Sequence, residues 1–308
     1  MEHYVTLFDS MFLPQGLALH ASLERHGGAY TLWVLCMDEA AHDTLTRLKL
    51  PHLRTLRLSA VETPELKRVK EGRTRGEYCW TITPFAPRFV FEADPAVERV
   101  TYLDADLWFR RSPAPIFREF AASGKHVLIT DHAYAPEYDR SAGSGQYCVQ
   151  FVTFRRGASE PVRSWWAQRC LEWCYNRYED GKFGDQKYLD DWPERFADSV
   201  HVLQQADLLL APWNATRFPY GKAVAWHFHG LRLQGARIVL ADGYALPTPV
   251  VRNVYAPYVA ELRTGIERLK QEGFAVPAAP PGRSGARGLI NALAHNLWRL
   301  RSRRVVDL

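Results

Sequence analysis

Asp104 and Asp106 stand one residue apart at the end of an apolar run, in VTYLDADLWF (Val100–Phe109). Two carboxylates at a strand end can reach one hard cation, and that cation can in turn hold a diphosphate. Acidic turn pairs are common, so the pair gains weight from its setting: the apolar strand before it and Leu107-Trp108 after it. A phosphatase-type aspartyl nucleophile also follows a strand as Asp-x-Asp. That motif sits near the amino terminus with Thr or Val two residues past its second acid. Trp108 fills that place here, and the phosphatase reading is set aside.

Three further segments offer chemistry. AWHFHG (residues 225–230) presents His227 and His229 two residues apart, on the same side of an extended strand. An imidazole from a distant segment would complete a carboxylate pair and suit Mn²⁺ better than Mg²⁺. The alternative is two structural or solvent-facing histidines. GDQKYLDDW (residues 184–192) presents Asp185 and Gln186, which also read as a helix start with Tyr188 and Leu189 as its first buried residues. Asp190 and Asp191 read as helix surface. Cys148 has no His and Asp close to it in sequence and is not expected to be a nucleophile.

These groups need a scaffold. Val5–Phe8, Thr31–Met37, Leu53–Leu58, Val100–Leu103, Val127–Thr130 and Val149–Phe154 read as strands. Gln15–Arg25, Ala40–Leu48, Phe85–Ala93 and Trp165–Tyr178 read as helices, the last long and amphipathic. Such alternation predicts an α/β fold, a mostly parallel sheet with helices on both faces. Ligands of these sheets bind beyond the carboxyl ends of the strands. The acids there are Asp9, Asp38, Asp104, Asp106 and Asp131; Asp38 is read as a plain turn residue.

Composition bounds the rest. The 308 residues include ten Trp and are 47% hydrophobic, which excludes a disordered chain. No apolar run approaches the roughly 18 residues of a membrane span. The opening MEHYVTLFDS lacks the basic start of a signal peptide. The five cysteines, an odd number, read as reduced cytosolic thiols. The net charge is +5, and residues 283–308, with six Arg and one Asp, hold all of it. The body is therefore neutral and nucleic acid is not an expected partner. Leu289, Ile290, Leu293, Leu297 and Leu300 recur at three- and four-residue steps beside those arginines. This predicts a linker over 275–287 and a basic amphipathic helix over 288–308 after a body of residues 1–274. That helix would either rest on anionic lipid or dock on the body.

From Val5 to about Leu233 the chain resembles the GT-A-fold nucleotide-sugar glycosyltransferases, in particular the glycogenin and lipopolysaccharide-galactosyltransferase group and its bacterial relatives. The resemblance rests on LFDSMF (7–12), YLDADL (102–107), ITDH (129–132), YCVQFVTF (147–154), GDQKYLDDW (184–192), LAPWN (210–214) and HFHG (227–230), in that order. It implies a nucleotide-base site at Phe8, Asp9 and Phe12 and an Arg, here Arg88, on the donor. It implies a metal, Mn²⁺ or Mg²⁺, on Asp104, Asp106 and His227. Asp185, Gln186 and Asp131 would be the catalytic residues that orient sugar and acceptor. The implied reaction moves a sugar, with retention, from a nucleoside-diphosphate sugar (a UDP-sugar first) to a glycan or lipid-linked acceptor. The alternatives are an inverting transferase with Asp185 or Asp131 as base, a non-catalytic nucleotide- or glycan-binding module, and a nucleotidyltransferase. The last lacks its Gly-rich loop here. The implied location is the cytoplasm, peripheral on the inner membrane. Two departures stand out: Cys148 where the group often has Asn, and Leu231-Arg232-Leu233 where it has a phosphate-clamping Lys-Pro-Trp. Strand alternation would turn Arg232 to the other face, leaving Lys222, Arg73 or Arg75 as substitutes.

Overall fold

The computed structural model describes residues 1–276 and 305–307. Its central sheet has seven strands: β1 (Glu2–Phe8), β2 (Tyr30–Cys36), β3 (Leu53–Arg57), β4 (Arg99–Leu103), β6 (Val127–Asp131), β7 (Tyr147–Arg155) and β8 (Val200–Val202). Their spatial order is β3-β2-β1-β4-β7-β6-β8. Every pairing is parallel except the two made by β7, which runs against both β4 and β6. The expected mostly parallel sheet is therefore present. All seven residues of β2 are buried, as a strand covered on both faces must be.

Two apolar cores cover the sheet. On one face lie the helices Leu13–His26, Ala114–Ser123 and Ala256–Lys270, through Leu17, Ile116 and Leu269. On the other lie Arg75–Ile82, Ala86–Ala93 and Glu160–Glu172, through Ile82, Val90 and Trp166. A small sheet of β5 (Leu107–Phe109), β9 (Leu209–Leu210) and β10 (Ala225–His227) stands against the main one, with β10 between its partners. Beneath it a third core stacks Phe228 on Tyr258, ring centres 3.5 Å apart. Because only three residues separate β4 from β5, the Asp104-Ala105-Asp106 turn is pinned between two sheets. Leu107 N–H closes it on the Asp104 carbonyl (3.1 Å).

Two elements differ from the sequence reading. The helix expected over Trp165–Tyr178 spans Glu160–Glu172. Pro161 presets its first turn. Buried Arg163 fixes that turn by donating to the Pro84 carbonyl (3.0 Å). At the other end Trp173 is extended, and its indole N–H donates to Glu179, drawing the chain off the helix axis. The second difference is at the carboxyl end. Val305–Asp307 is a strand, β13, antiparallel to β12 (Arg237–Val239), which pairs in turn with β11 (Arg232–Gln234). Two consecutive valines suit an edge strand, and Arg263 donates to the Asp307 carbonyl. The expected helix thus does not reach Leu308, and the body takes in residues beyond 274. Residues 277–304, on which the rest of the expected helix and most of the expected linker fall, lie outside the described residues.

Candidate functional site

β4 delivers Asp104 and β10 delivers His227, and the pairing of β5 with β10 sets His227 opposite Leu107. His227 Nε2 lies 3.0 Å from Asp106 Oδ1 and 3.6 Å from Asp104 Oδ2. Ligand atoms of the three residues all fall within 4.8 Å of one another. The Tyr102 hydroxyl donates to Asp104 Oδ1 (3.0 Å), and Phe228 N–H donates to the Asp106 carbonyl (3.0 Å). Burial and the neighbouring Asp106 charge push the Asp104 carboxyl above its ordinary range. Burial acts the same way on Asp106, but the charge and hydrogen bond of His227 outweigh it and hold Asp106 low. Burial also opposes charge on His227, which is 7% exposed; the attraction of Asp106 exceeds it and drives the imidazole well above its ordinary value. The two acids thus recruit a positive charge from the imidazole, and two carboxylates with one imidazole form a donor set that fits Mn²⁺ or Mg²⁺. His229 is exposed and turned toward Trp213 and Tyr244.

A break in register on β7 shapes the wall of this site. Leu128 pairs with Thr153 but Thr130 pairs with Cys148, so β7 bulges between them. The irregularity lies beside Asp104, whose N–H donates to the Gln150 carbonyl (3.1 Å) and so continues the β4–β7 pairing past Leu103. The buried Cys148 thiol lies against His132 and His227. Burial would raise its pKa, but the His132 charge brings it down to about 7. Its histidine partners are distant in sequence, which is why proximity along the chain misses them. Asp185 is buried behind the metal set, with Thr83 within hydrogen-bond reach. Burial, then the Asp104 charge, raises its carboxyl far above the ordinary range. Thr83 also lies near Tyr102, while its hydroxyl donates to the Cys79 carbonyl (3.1 Å).

The remaining predicted residues divide. Asp9 is buried at the carboxyl end of β1 and caps the turn Ser10–Phe12 by accepting from Met11 N–H (2.9 Å). Phe12 stands beside it at 38% exposure. Phe8, in contrast, is core: its ring fills the space at Gly16, where a Cβ would come within 2.4 Å. Arg88 does not join the cluster. Its Nε donates to Glu92 one turn on (2.6 Å), on the outer surface of its helix. Asp38 is more than a turn residue, since it accepts from Ser10 Oγ (2.8 Å) and from Arg75 Nη2 (2.9 Å). Asp131 opens on a separate cavity of about 500 Å³ with Tyr134, Gln146, Gln204 and Arg217. Its carboxylate accepts from Gln146 Nε2 (3.1 Å). Gln186 Nε2 donates to the Ser144 carbonyl (2.6 Å), and Asp190, expected on the surface, accepts from Gln146 N–H and Lys187 Nζ. The Gln186–Asp191 segment therefore ties down the loop of residues 139–146 beside the Asp131 cavity. Arg73 is committed to Thr81 and the Leu171 carbonyl. Arg232 does not continue the strand of His227, since Gly230, at φ 78°, breaks it; the Arg232 side chain is exposed and donates to the Leu231 carbonyl (2.9 Å), and its charge is felt at Asp106.

Over 250 residues the chain is 34% identical to the Bacillus subtilis protein YfnF, which is described as uncharacterized; the match spans 79% of this chain and 78% of YfnF. The chain belongs to the YfnF family. A second B. subtilis relative of this YfnF-family chain, the uncharacterized YfnD, is 28% identical over 288 residues, 87% of the chain and 91% of YfnD. No family model matches the sequence. Among solved structures, the galactosyltransferase LgtC in complex with donor and acceptor sugar analogs superposes with a TM-score of 0.53. It covers 85% of the chain and 95% of LgtC at 11% identity. Mouse xyloside xylosyltransferase 1 gives 0.51 over 74% of the chain and 97% of its own length, at 15% identity. This member of the YfnF family thus has the GT-A glycosyltransferase fold.

Proposed function

We propose that the protein is a glycosyltransferase that moves a sugar from a nucleoside-diphosphate sugar, a UDP-sugar in the first instance, to a glycan or lipid-linked acceptor. The observation that carries this reading is the convergence of Asp104, Asp106 and His227 from β4, its turn and β10 at the carboxyl end of the sheet. These residues would hold Mn²⁺ or Mg²⁺, which when bound supplies Lewis-acid neutralisation of the leaving diphosphate. Arg232 adds a cation on the same side and is the favoured phosphate contact. Asp9 and Phe12 would receive the base, the carboxylate accepting from a ring N–H and the aromatic ring stacking.

Asp185 bears on stereochemistry. Burial and the Asp104 charge raise its carboxyl well above the ordinary range, which disfavours the charged form that a general base needs. That weighs for retention and against an inverting reaction through Asp185. Asp131 and the cavity around it would take the acceptor, with Gln186 fixing the loop above. Among the described residues no helix is long and apolar enough to cross a membrane. Attachment to anionic lipid would fall to the arginines of residues 283–304, on the cytoplasmic face. The test is a thermal-shift screen of UDP-, GDP-, CMP- and dTDP-sugars with and without Mn²⁺, followed by product analysis for anomeric configuration. A stabilisation that needs both one nucleotide and the metal supports the reading. No response to any donor refutes it.

A further inference from the structure

Arg75 opens the helix Arg75–Ile82 and reaches across the cleft to the ends of two strands. Its Nε donates to Asp9 Oδ2 (2.6 Å) at the end of β1 and its Nη2 to Asp38 Oδ2 (2.9 Å) just past β2, while Nη1 lies 3.3 Å from the Met11 sulfur. The side chain issues from a fixed point. Thr74 caps the helix in a reciprocal box with Glu77, and Arg73 next to it is tied to Thr81 and Leu171. Arg75 is half exposed although it grips a nearly buried acid, so it sits at the mouth of the cleft, beside exposed Met11 and Phe12.

We propose that Arg75 is a positioning residue for nucleotide binding: it braces Asp9 and Asp38 together at the mouth of the cleft and so holds the Asp9 carboxylate in place for a base N–H. This rests on the nucleotide-donor reading above. The groups facing Asp9 are few. Arg75 and the amides of Met11 and Phe12 favour its charge, Asp38 opposes it, and Cys79, one turn along from Arg75, also feels it. Burial alone pushes the Asp9 carboxyl up, and Arg75 is the nearest cation that counters this. The assignment exchanges one arginine for another: Arg88 pairs with Glu92 on the outer surface, whereas Arg75 touches the cleft.

Binding of UDP and of uridine to the full-length protein, at saturating Mn²⁺ from pH 5 to 8, decides the matter. Arg75→Ala is expected to weaken both ligands alike, by about tenfold at pH 7, and to move the acid limb of binding to higher pH. Arg75→Lys should restore part of the loss and serves as the test variant should Arg75→Ala fail to fold. Arg88→Ala should bind as the unaltered protein does. Loss of UDP binding with uridine unaffected would mean that Arg75 contacts the diphosphate, and would overturn the proposal. So would unchanged binding of both ligands. Failure of the unaltered protein to bind either one strikes the nucleotide reading itself.

Discussion

Replacing Asp106 by Asn keeps the side-chain shape and removes one charge. A unit charge pair about 4 Å apart interacts by about 4 kcal/mol at an effective dielectric near 20. Asp106 is 18% exposed, and the amide retains a dipole, so about half of that survives as a net loss for a single positive charge. For a divalent ion the loss doubles to about 4 kcal/mol, or roughly a thousandfold in affinity. The fold should persist, because the acid lies at a strand end and not in a core. Titration of Mn²⁺ in the presence of UDP measures the effect, and hydrolysis of a responsive donor measures its consequence. The protonation of His227 adds a sign. Its pKa is raised in the folded protein, so without metal its pairing with Asp106 stabilises fully below the unfolded value of about 6.5 and is lost as pH rises through the folded value. Metal must displace that proton, so Mn²⁺ affinity should rise with pH while metal-free stability falls. Unchanged Mn²⁺ affinity in Asp106→Asn, or full activity of Asp106→Ala in EDTA, would refute the metal assignment.

His227→Ala should lose far more Mn²⁺ affinity than His229→Ala in the same titration; the reverse order would move the third ligand to His229. Full-length protein should sediment with phosphatidylglycerol vesicles at low salt and be released as salt rises, since charge attraction is screened over about 8–10 Å. Reversing Arg299, Arg301, Arg303 and Arg304 to Glu should abolish that binding while leaving β13 and the melting temperature intact. Gly16→Ala should destabilise by about 1–3 kcal/mol, because the Phe8 ring occupies the added methyl's place; a melting temperature equal to the parent's would show that the helix slides at no cost.

The strands and the two aspartates were legible because both signals are local. An apolar run ending in acid needs no partner to be recognised, and β1, β2 and β4 lie where the pattern puts them. His227 was legible as a candidate, but the choice over His229 depends on the pairing of β10 with β5, which no local pattern encodes. Arg232 was misplaced for the opposite reason. Alternation holds only while a strand continues, and Gly230 ends it. A glycine immediately ahead of the arginine's segment was the available warning. Arg88 illustrates local competition: Glu92 at i+4 satisfies it on its own helix. Thr83 carried no sequence signal, and nothing local tied Cys148 to His132 and His227. Their contacts are made by a bulge and by chain crossings, and only the assembled sheet brings them together.

β13 gives the carboxyl end of the chain an office in the chemistry. It is the outer rail of a three-strand ribbon whose inner rail, β11, begins at Arg232. The ribbon starts two residues past the turn at Gly230 and so holds the chain where it leaves β10. Nothing chemically notable resides in Val305 or Val306, yet three residues with no ligand of their own brace the ribbon that starts at Arg232. An affinity tag or a proteolytic nick at this end would disturb that ribbon, whereas Met1, exposed before the start of β1, is the gentler place for a handle.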